Sequence, residues 1–268
     1  MTAIDGATRI YAIVGDPIAH ARSPLVYNRR IAKAGRNAVL VPWHVPAANF
    51  DVAMRGLQQA ANVDGIIFTF PFKQQALTLA DHVGMRARQV GATNVLRREA
   101  DGRWTADMFD GVGLVRAVAA AGKTVRGQCV WLIGAGGAGS AIAFALADAG
   151  AVALHITDLN VARTRGVAAA IAAAYPACTV AANAPALNDV SILINATPVG
   201  LEGEGKLPIA VTSLPRHLTV VDIVPRSDPT RLLTLARASG CTAIAGGGMV
   251  EGQADAVLDF LWHQPGKT

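Results

Sequence analysis

Short apolar runs separated by stretches of helical period set the pattern of this chain. Residues 9–14, 39–45 and 65–70 each read as a buried strand, the first broken by Gly15-Asp16-Pro17 and the third ended by Pro71. Between them, Ser23-Pro24 predicts a helix with Ser at the N-cap and Pro at the first helical position, and residues 49–62 carry a helical period. Residues 95–97 and 104–106 flank Asp101-Gly102, a pair that favours the tight turn of a hairpin. Asp110-Gly111 predicts a helix to about residue 121. The second half repeats the alternation, with strands at 130–133, 151–157, 191–195, 219–224 and 242–245 and alanine-rich helical segments, beginning at 141–149. Gly246-Gly247-Gly248 permits an abrupt change of direction before a closing helix at 250–262. Strands alternating with helices throughout argue for an α/β protein with parallel sheets.

The glycines after the 130–133 strand carry the first chemistry. Gly134, Gly136 and Gly139 fill a G-x-G-x-x-G pattern whose intervening residues are Ala135, Gly137 and Ala138. In that order they permit a tight turn, close backbone approach to a pyrophosphate, and close packing of helix on strand. The phosphates would lie at the helix N-terminus, where unpaired N–H groups and the helix dipole favour negative charge. Asp158 closes the next strand, the place of a carboxylate that bonds the adenosine ribose of NAD and repels a 2′-phosphate. A helix cap is the competing role for Asp158 and Asn160.

Composition narrows the field. The 268 residues are 52% hydrophobic and 16% charged, yet contain neither an apolar stretch of about 20 residues nor a signal-peptide pattern, so the expectation is a soluble, cytoplasmic protein. Cys129, Cys178 and Cys241 stand singly, without C-x-x-C spacing or paired histidines, which predicts reduced core thiols and no metal site. The net charge of +5 is scattered rather than run together, against nucleic-acid binding and for mild attraction of anionic small molecules.

Seven segments, taken in order, resemble the shikimate dehydrogenase family, which includes the quinate/shikimate dehydrogenases: Gly15-Asp16-Pro17 with Ser23-Pro24 and Asn28; Thr69-Phe70-Pro71-Phe72-Lys73; Gly91-Ala92-Thr93-Asn94; Asp110-Gly111-Val112-Gly113; the glycine-rich turn; Asn195-Ala196-Thr197-Pro198-Val199-Gly200; and Gly248-Met249 with Gln253. The resemblance implies reversible oxidation of a ring hydroxyl on a cyclohexene or cyclohexane carboxylate, with hydride passing to a nicotinamide. It implies a substrate-binding catalytic domain, residues 1–107 plus 248–268, a doubly wound Rossmann domain over 108–247, and a cleft between them. Lys73 and Asp110 correspond to the catalytic pair, and Ser23, Thr69, Asn94 and Gln253 to substrate-binding positions. Asn195, Thr197 and Gly246 join the turn and Asp158 on the cofactor side. The expected partner is a small carboxylate, with the protein a monomer or homodimer. Independently of the resemblance, removing hydride from a carbinol carbon requires its hydroxyl proton to leave, and a lysine amine can accept it.

The chain departs from the family pattern in substrate recognition. His20-Ala21-Arg22-Ser23 lacks one of two serines that grip the substrate carboxylate, a tyrosine after the Asp222-Ile223-Val224 motif is absent, and Met108-Phe109 replaces Asn-Thr before Asp110. A lost hydrogen bond to a charged group costs about 1.5–3 kcal/mol, roughly tenfold to a hundredfold in binding. Arg22 could compensate as a bidentate fork, with a plain surface charge as its other role. Where NADP-using members carry Asn-Arg-Thr, this chain has Asp158-Leu159-Asn160, which favours NAD; Arg163, one turn on, keeps NADP as the second candidate. The competing function is an NAD-binding sensor or interaction protein without turnover.

Overall fold

A computed structural model describes residues 4–203 and 205–263. The chain forms two compact units, Met1–Phe109 with Ala254–Thr268, and Asp110–Gln253.

The first unit contains β1 (Arg9–Gly15), α1 (Ser23–Lys33), β2 (Ala38–His44), α2 (Phe50–Gln59), β3 (Val63–Phe68), β4 (His82–Val83), α3 (Met85–Val90), β5 (Val95–Arg98) and β6 (Trp104–Asp107). They build a mixed sheet in the order β2-β1-β3-β5-β6-β4. β1, β2 and β3 are parallel, and the β5–β6 hairpin joins β3 antiparallel. Val14, Ile66, Phe68, Phe50, Met54 and Phe72 form its core, with Phe50 stacked on Phe72 at 4.7 Å between centroids.

Two expectations are corrected here. Ser23 is not the N-cap of α1: Arg22 is, with helical dihedrals and no side-chain cap bond. The turn closed by Ala21 N–H on the Ile18 carbonyl runs straight into the helix, so Arg22's carbonyl accepts the first helical bonds from Leu25 and Val26. Ser23 is consequently a buried first-turn residue. The third strand stops at Phe68: Thr69 and Phe70 keep backbone bonds to Val14 and Asp16, but Phe72 N–H turns back onto the Thr69 carbonyl at 3.0 Å and the chain curls into a turn.

The second unit contains α4 (Asp110–Ala120), β7 (Cys129–Ile133), α5 (Gly137–Asp148), β8 (Ala153–Thr157), α6 (Val161–Ala174), β9 (Thr179–Ala181), β10 (Ile192–Asn195), β11 (Thr219–Asp222), α7 (Arg231–Ala238), β12 (Thr242–Ala245) and the start of α8 (Gly246–Trp262), which continues into the first unit. Its sheet is wholly parallel, in the order β12-β11-β10-β7-β8-β9. Counted from β7 this is the doubly wound order of dinucleotide-binding folds, with the switch point between β7 and β10. Val130, Leu132, Leu154, Ile156, Leu193, Ile194, Val220 and Val221 fill the sheet's core.

The closing helix begins at Gly246 rather than 250, immediately after β12, so Gly246, Gly247 and Gly248 are the first turn of α8. Packing explains them: a Cβ on Gly246 would lie 2.5 Å from the Ile223 carbonyl oxygen, and one on Gly248 3.3 Å from Ala117. α5 likewise begins at Gly137 rather than 141, since Ser140 N–H already bonds the Gly136 carbonyl. α4 is gripped on both flanks through small residues. A Cβ at Gly111 would overlap the Ala141 carbonyl of α5, and one at Gly113 would overlap the Met249 carbonyl of α8.

Candidate active site and cofactor turn

In the second unit, the turn between β7 and α5 is fixed by backbone bonds. Gly134 N–H donates to the Thr157 carbonyl (2.7 Å), and Ser140 hydroxyl to the Ala135 carbonyl (2.9 Å). Gly134 has φ +103°, and a Cβ there would sit 2.8 Å from the Ala196 backbone. A Cβ at Gly139 would overlap the Gly134 carbonyl oxygen. Gly136 differs: its φ of −69° suits any residue, and a Cβ there would meet no protein atom within 4 Å. Nothing in the protein requires glycine at that position, whereas a pyrophosphate laid against the backbone would. The turn therefore fits the cofactor that the pattern implies.

Asp158 reaches into the same turn. One carboxylate oxygen accepts from Ala135 N–H (2.7 Å) and the other from Asn160 N–H (2.8 Å). Asn160, rather than Asp158, caps α6, accepting from Arg163 N–H at 3.0 Å. Arg163 stands 3.9 Å from the Asp158 carboxylate. Ala138 continues from Gly137 into the first turn of α5.

Asn195 is fully buried, so its side chain holds the loop rather than presenting itself to a ligand. Its amide N–H donates to Asp222 (3.0 Å) and to the Val199 carbonyl (3.2 Å), and its oxygen accepts from the Thr197 hydroxyl (2.7 Å). Asp222, at the end of β11, also accepts from the Thr230 hydroxyl (2.6 Å) and Val224 N–H (3.2 Å). Burial pushes the Asp222 carboxyl above its ordinary range, against the pull of those hydrogen bonds. Asp222 thus braces the Asn195 loop, a role whose signal in the sequence was a lone acid ending a buried strand. Gly246 packs against the backbone of the next residue, Ile223, where a Cβ would meet the carbonyl oxygen.

In the first unit, Ser23, Thr69, Lys73 and Asn94 all lie at the edge where β1 and β3 end and antiparallel β5 begins. Ligands in open α/β sheets occupy that edge. Thr69 N–H bonds the Val14 carbonyl, and its methyl fills the space where a Gly15 side chain would stand. Thr93 N–H donates to the Lys73 carbonyl (2.8 Å), and the buried Asn94 accepts from Phe109 N–H through its side-chain oxygen (3.0 Å). Lys73's loop, the 91–94 turn and the approach to Asp110 are thus tied together. Arg22 is exposed at the head of α1. Phe109 is the last residue of the first unit; Asp110 opens the second, 1% exposed at the head of α4. Gln253 is buried on α8, and a Cβ at Gly113 would approach its Cβ to 2.9 Å.

Asp16 also orders the sheet edge. Its carboxylate pairs with His44 (2.9 Å) and accepts from Ala47 N–H (3.1 Å), and the His44 bond is the main reason its pKa lies below the usual carboxylate value. Among the described residues no cluster of three or more His, Cys, Asp or Glu side chains could hold a metal, and no helix is long and apolar enough to cross a membrane.

A parallel, doubly wound unit with a glycine-rich turn and an acid closing the next strand, preceded in the same chain by an α/β unit carrying a lysine at a sheet edge, defines a dinucleotide-binding α/β protein of the dehydrogenase class. The comparisons agree. The model of the shikimate dehydrogenase substrate binding domain matches residues 13–96. A relative from Caulobacter vibrioides named shikimate dehydrogenase (NADP(+)) is 35% identical over 264 residues, covering 98% of this chain and 92% of its own. The solved shikimate dehydrogenase of Aquifex aeolicus superposes with a TM-score of 0.86 at 27% identity, covering 97% of this chain and 94% of that one. That of Listeria monocytogenes, solved with shikimate and NAD, gives 0.83 at 27% identity, covering 98% and 95%. The chain belongs to the shikimate dehydrogenase family.

Proposed function

We propose that the protein is an NAD-preferring oxidoreductase that interconverts a ring hydroxyl and ketone on shikimate, quinate or a related cyclitol carboxylate. The observation that carries this reading is the turn at Gly134–Gly139, where Gly134 and Gly139 leave no room for a side chain and Gly136 leaves open the backbone face a pyrophosphate would take. Gly134, Ala135, Gly136, Gly137, Ala138 and Gly139 would cradle the phosphates, Asp158 the ribose, and the loop braced by Asn195 and Thr197 the far end. When bound, the nicotinamide supplies the hydride acceptor in oxidation and the donor in reduction.

The remaining chemistry belongs to this chain. Lys73 takes the hydroxyl proton as the carbonyl forms and returns it in the reverse direction, with Asp110 orienting its ammonium. Asn94, Ser23, Thr69 and Gln253 hold the ring substituents, and Arg22, exposed at the head of α1, meets the carboxylate in place of the missing serine. Although the relatives' names carry NADP(+), Asp158 opposes a 2′-phosphate by like charge. The oxidation of a small carboxylate is assigned to the cytoplasm, by a monomer or homodimer.

Initial-rate absorbance of the reduced nicotinamide, with NAD or NADP and shikimate, quinate or aminoshikimate, tests this directly. Turnover is expected with NAD at least about tenfold more efficient than with NADP, and Lys73→Ala is expected to lose on the order of 10²–10⁴-fold in kcat while retaining NAD binding. Saturable NAD binding with no turnover of any substrate would instead favour the sensor.

A further inference from the structure

A column of stacked side chains in the first unit stands outside the machinery described so far. The Arg86 guanidinium lies over the Phe109 ring, 4.4 Å from its centroid. Phe109 meets Phe260 at 5.5 Å and 54°, and on Phe260 lies the Arg97 guanidinium at 4.6 Å. A carboxylate pins each end: Arg86 pairs with Asp107, and Arg97 with Glu99 at 2.5 Å. Arg97 also donates to the Phe260 carbonyl (2.9 Å). Cations over ring faces are attracted by the aromatic quadrupole, more strongly where water is excluded, and Phe109 is 4% exposed.

The column holds the backbone as well as the side chains. Asp107 accepts from Met108 N–H (2.9 Å) and Ala87 N–H (3.3 Å), and Asn94 accepts from Phe109 N–H (3.0 Å). The next residue is Asp110. On α8, Phe260 lies seven residues beyond Gln253 and therefore on the same helix face. Arg86 keeps its place although its Nε is buried without a hydrogen-bond partner, a cost that its own solvation would have avoided.

We infer that Arg86, Phe109, Phe260 and Arg97 form a positioning column that sets where Asp110 stands, with Arg86 governing turnover without touching the substrate. The inference rests on the proposed role of Asp110. Replacing Asn-Thr by Met108-Phe109 supplies the ring that the column needs, so the departure from the family pattern just before Asp110 gains a structural purpose.

The test compares Arg86→Met, Arg86→Lys, Phe109→Leu and Asp110→Asn in the full chain, with kcat and KM for the most active substrate of the panel, NAD affinity by fluorescence titration, and thermal unfolding. Arg86→Met and Phe109→Leu are expected to lower kcat about tenfold at a temperature where each is folded, leaving NAD affinity unchanged; Arg86→Lys, which keeps a cation over the ring and the Asp107 pair, is expected to recover most of the loss. An Arg86→Met enzyme with the parent's kcat overturns the column, as does a kcat loss in Arg86→Lys as large as that in Arg86→Met. If Asp110→Asn itself turns over normally, the acid–base reading fails instead, and the two failures are told apart.

Discussion

At the scale of single residues, the three pattern glycines of the turn separate into two kinds. Gly134 and Gly139 are demanded by the protein, one by its φ of +103° and the other by the carbonyl it faces, while at Gly136 the protein itself leaves room for a side chain. Gly139→Ala is therefore expected to cost several kcal/mol in urea unfolding, the scale of a forced overlap in a packed interior. Gly136→Ala should stabilise the fold by about 0.4–1 kcal/mol through the unfolded chain, yet weaken NAD binding about tenfold or more in a calorimetric titration. Asp158→Ser should move the NAD-to-NADP ratio of kcat/KM toward NADP by about tenfold or more. For Asp222, burial raises the pKa above 3.8, so its folded-state carboxyl gains a proton at higher pH than the unfolded one. Its contribution to stability is then full below 3.8 and is lost as pH rises through the folded-state value. Stability of Asp222→Asn relative to the parent should accordingly be highest at neutral pH and shrink toward about pH 4, read from denaturation midpoints. Asp158 and the glycines were legible because their spacing along the chain is itself the signal. The buried station of Asn195 and the importance of Asp222 were not, because both depend on which strands become neighbours.

Elements show the same division. The hairpin at Asp101-Gly102 and the strands β7, β10 and β12 lie where apolar period and turn chemistry put them, since those cues are local. Helix starts were less readable: Asn160 does cap α6, but Ser23 yields that place to Arg22 because the preceding turn delivers the chain already helical. Asn160→Ala is expected to cost about 1 kcal/mol in thermal or urea unfolding, while Ser23→Ala has no cap to lose. The short strands β4 and β9 escaped detection, being too brief for an alternation to register. The edge strand β2 is closed by a side chain. Asn28 donates to the Leu40 carbonyl (2.9 Å) and accepts from its N–H (2.7 Å), and Pro42 has no N–H to offer a neighbour. Asn28→Ala should expose that edge, lowering stability by about 1–3 kcal/mol and raising aggregation seen by light scattering.

For the whole molecule, a ligand that binds the native state stabilises what it touches, by about 2.7 kcal/mol at a hundredfold excess over Kd. Hydrogen exchange with saturating NAD should therefore slow most in the amides of residues 134–139, 158–160 and 195–200. A uniform slowing over the chain would contradict the assignment of cofactor binding to the Asp110–Gln253 unit. The sequence by itself determined the α/β class, the glycine-rich turn with its acid, and the family to which the chain belongs, because hydrophobic period, turn residues and ordered motifs are properties of nearby positions. Only the tertiary structure decided which residues are buried partners. It put Asn195 on Asp222, Asp158 on the Ala135 amide, Asn94 on the Phe109 amide and Arg86 over the Phe109 ring, pairings that arise when distant segments meet at sheet ends and must satisfy one another's polar groups away from water.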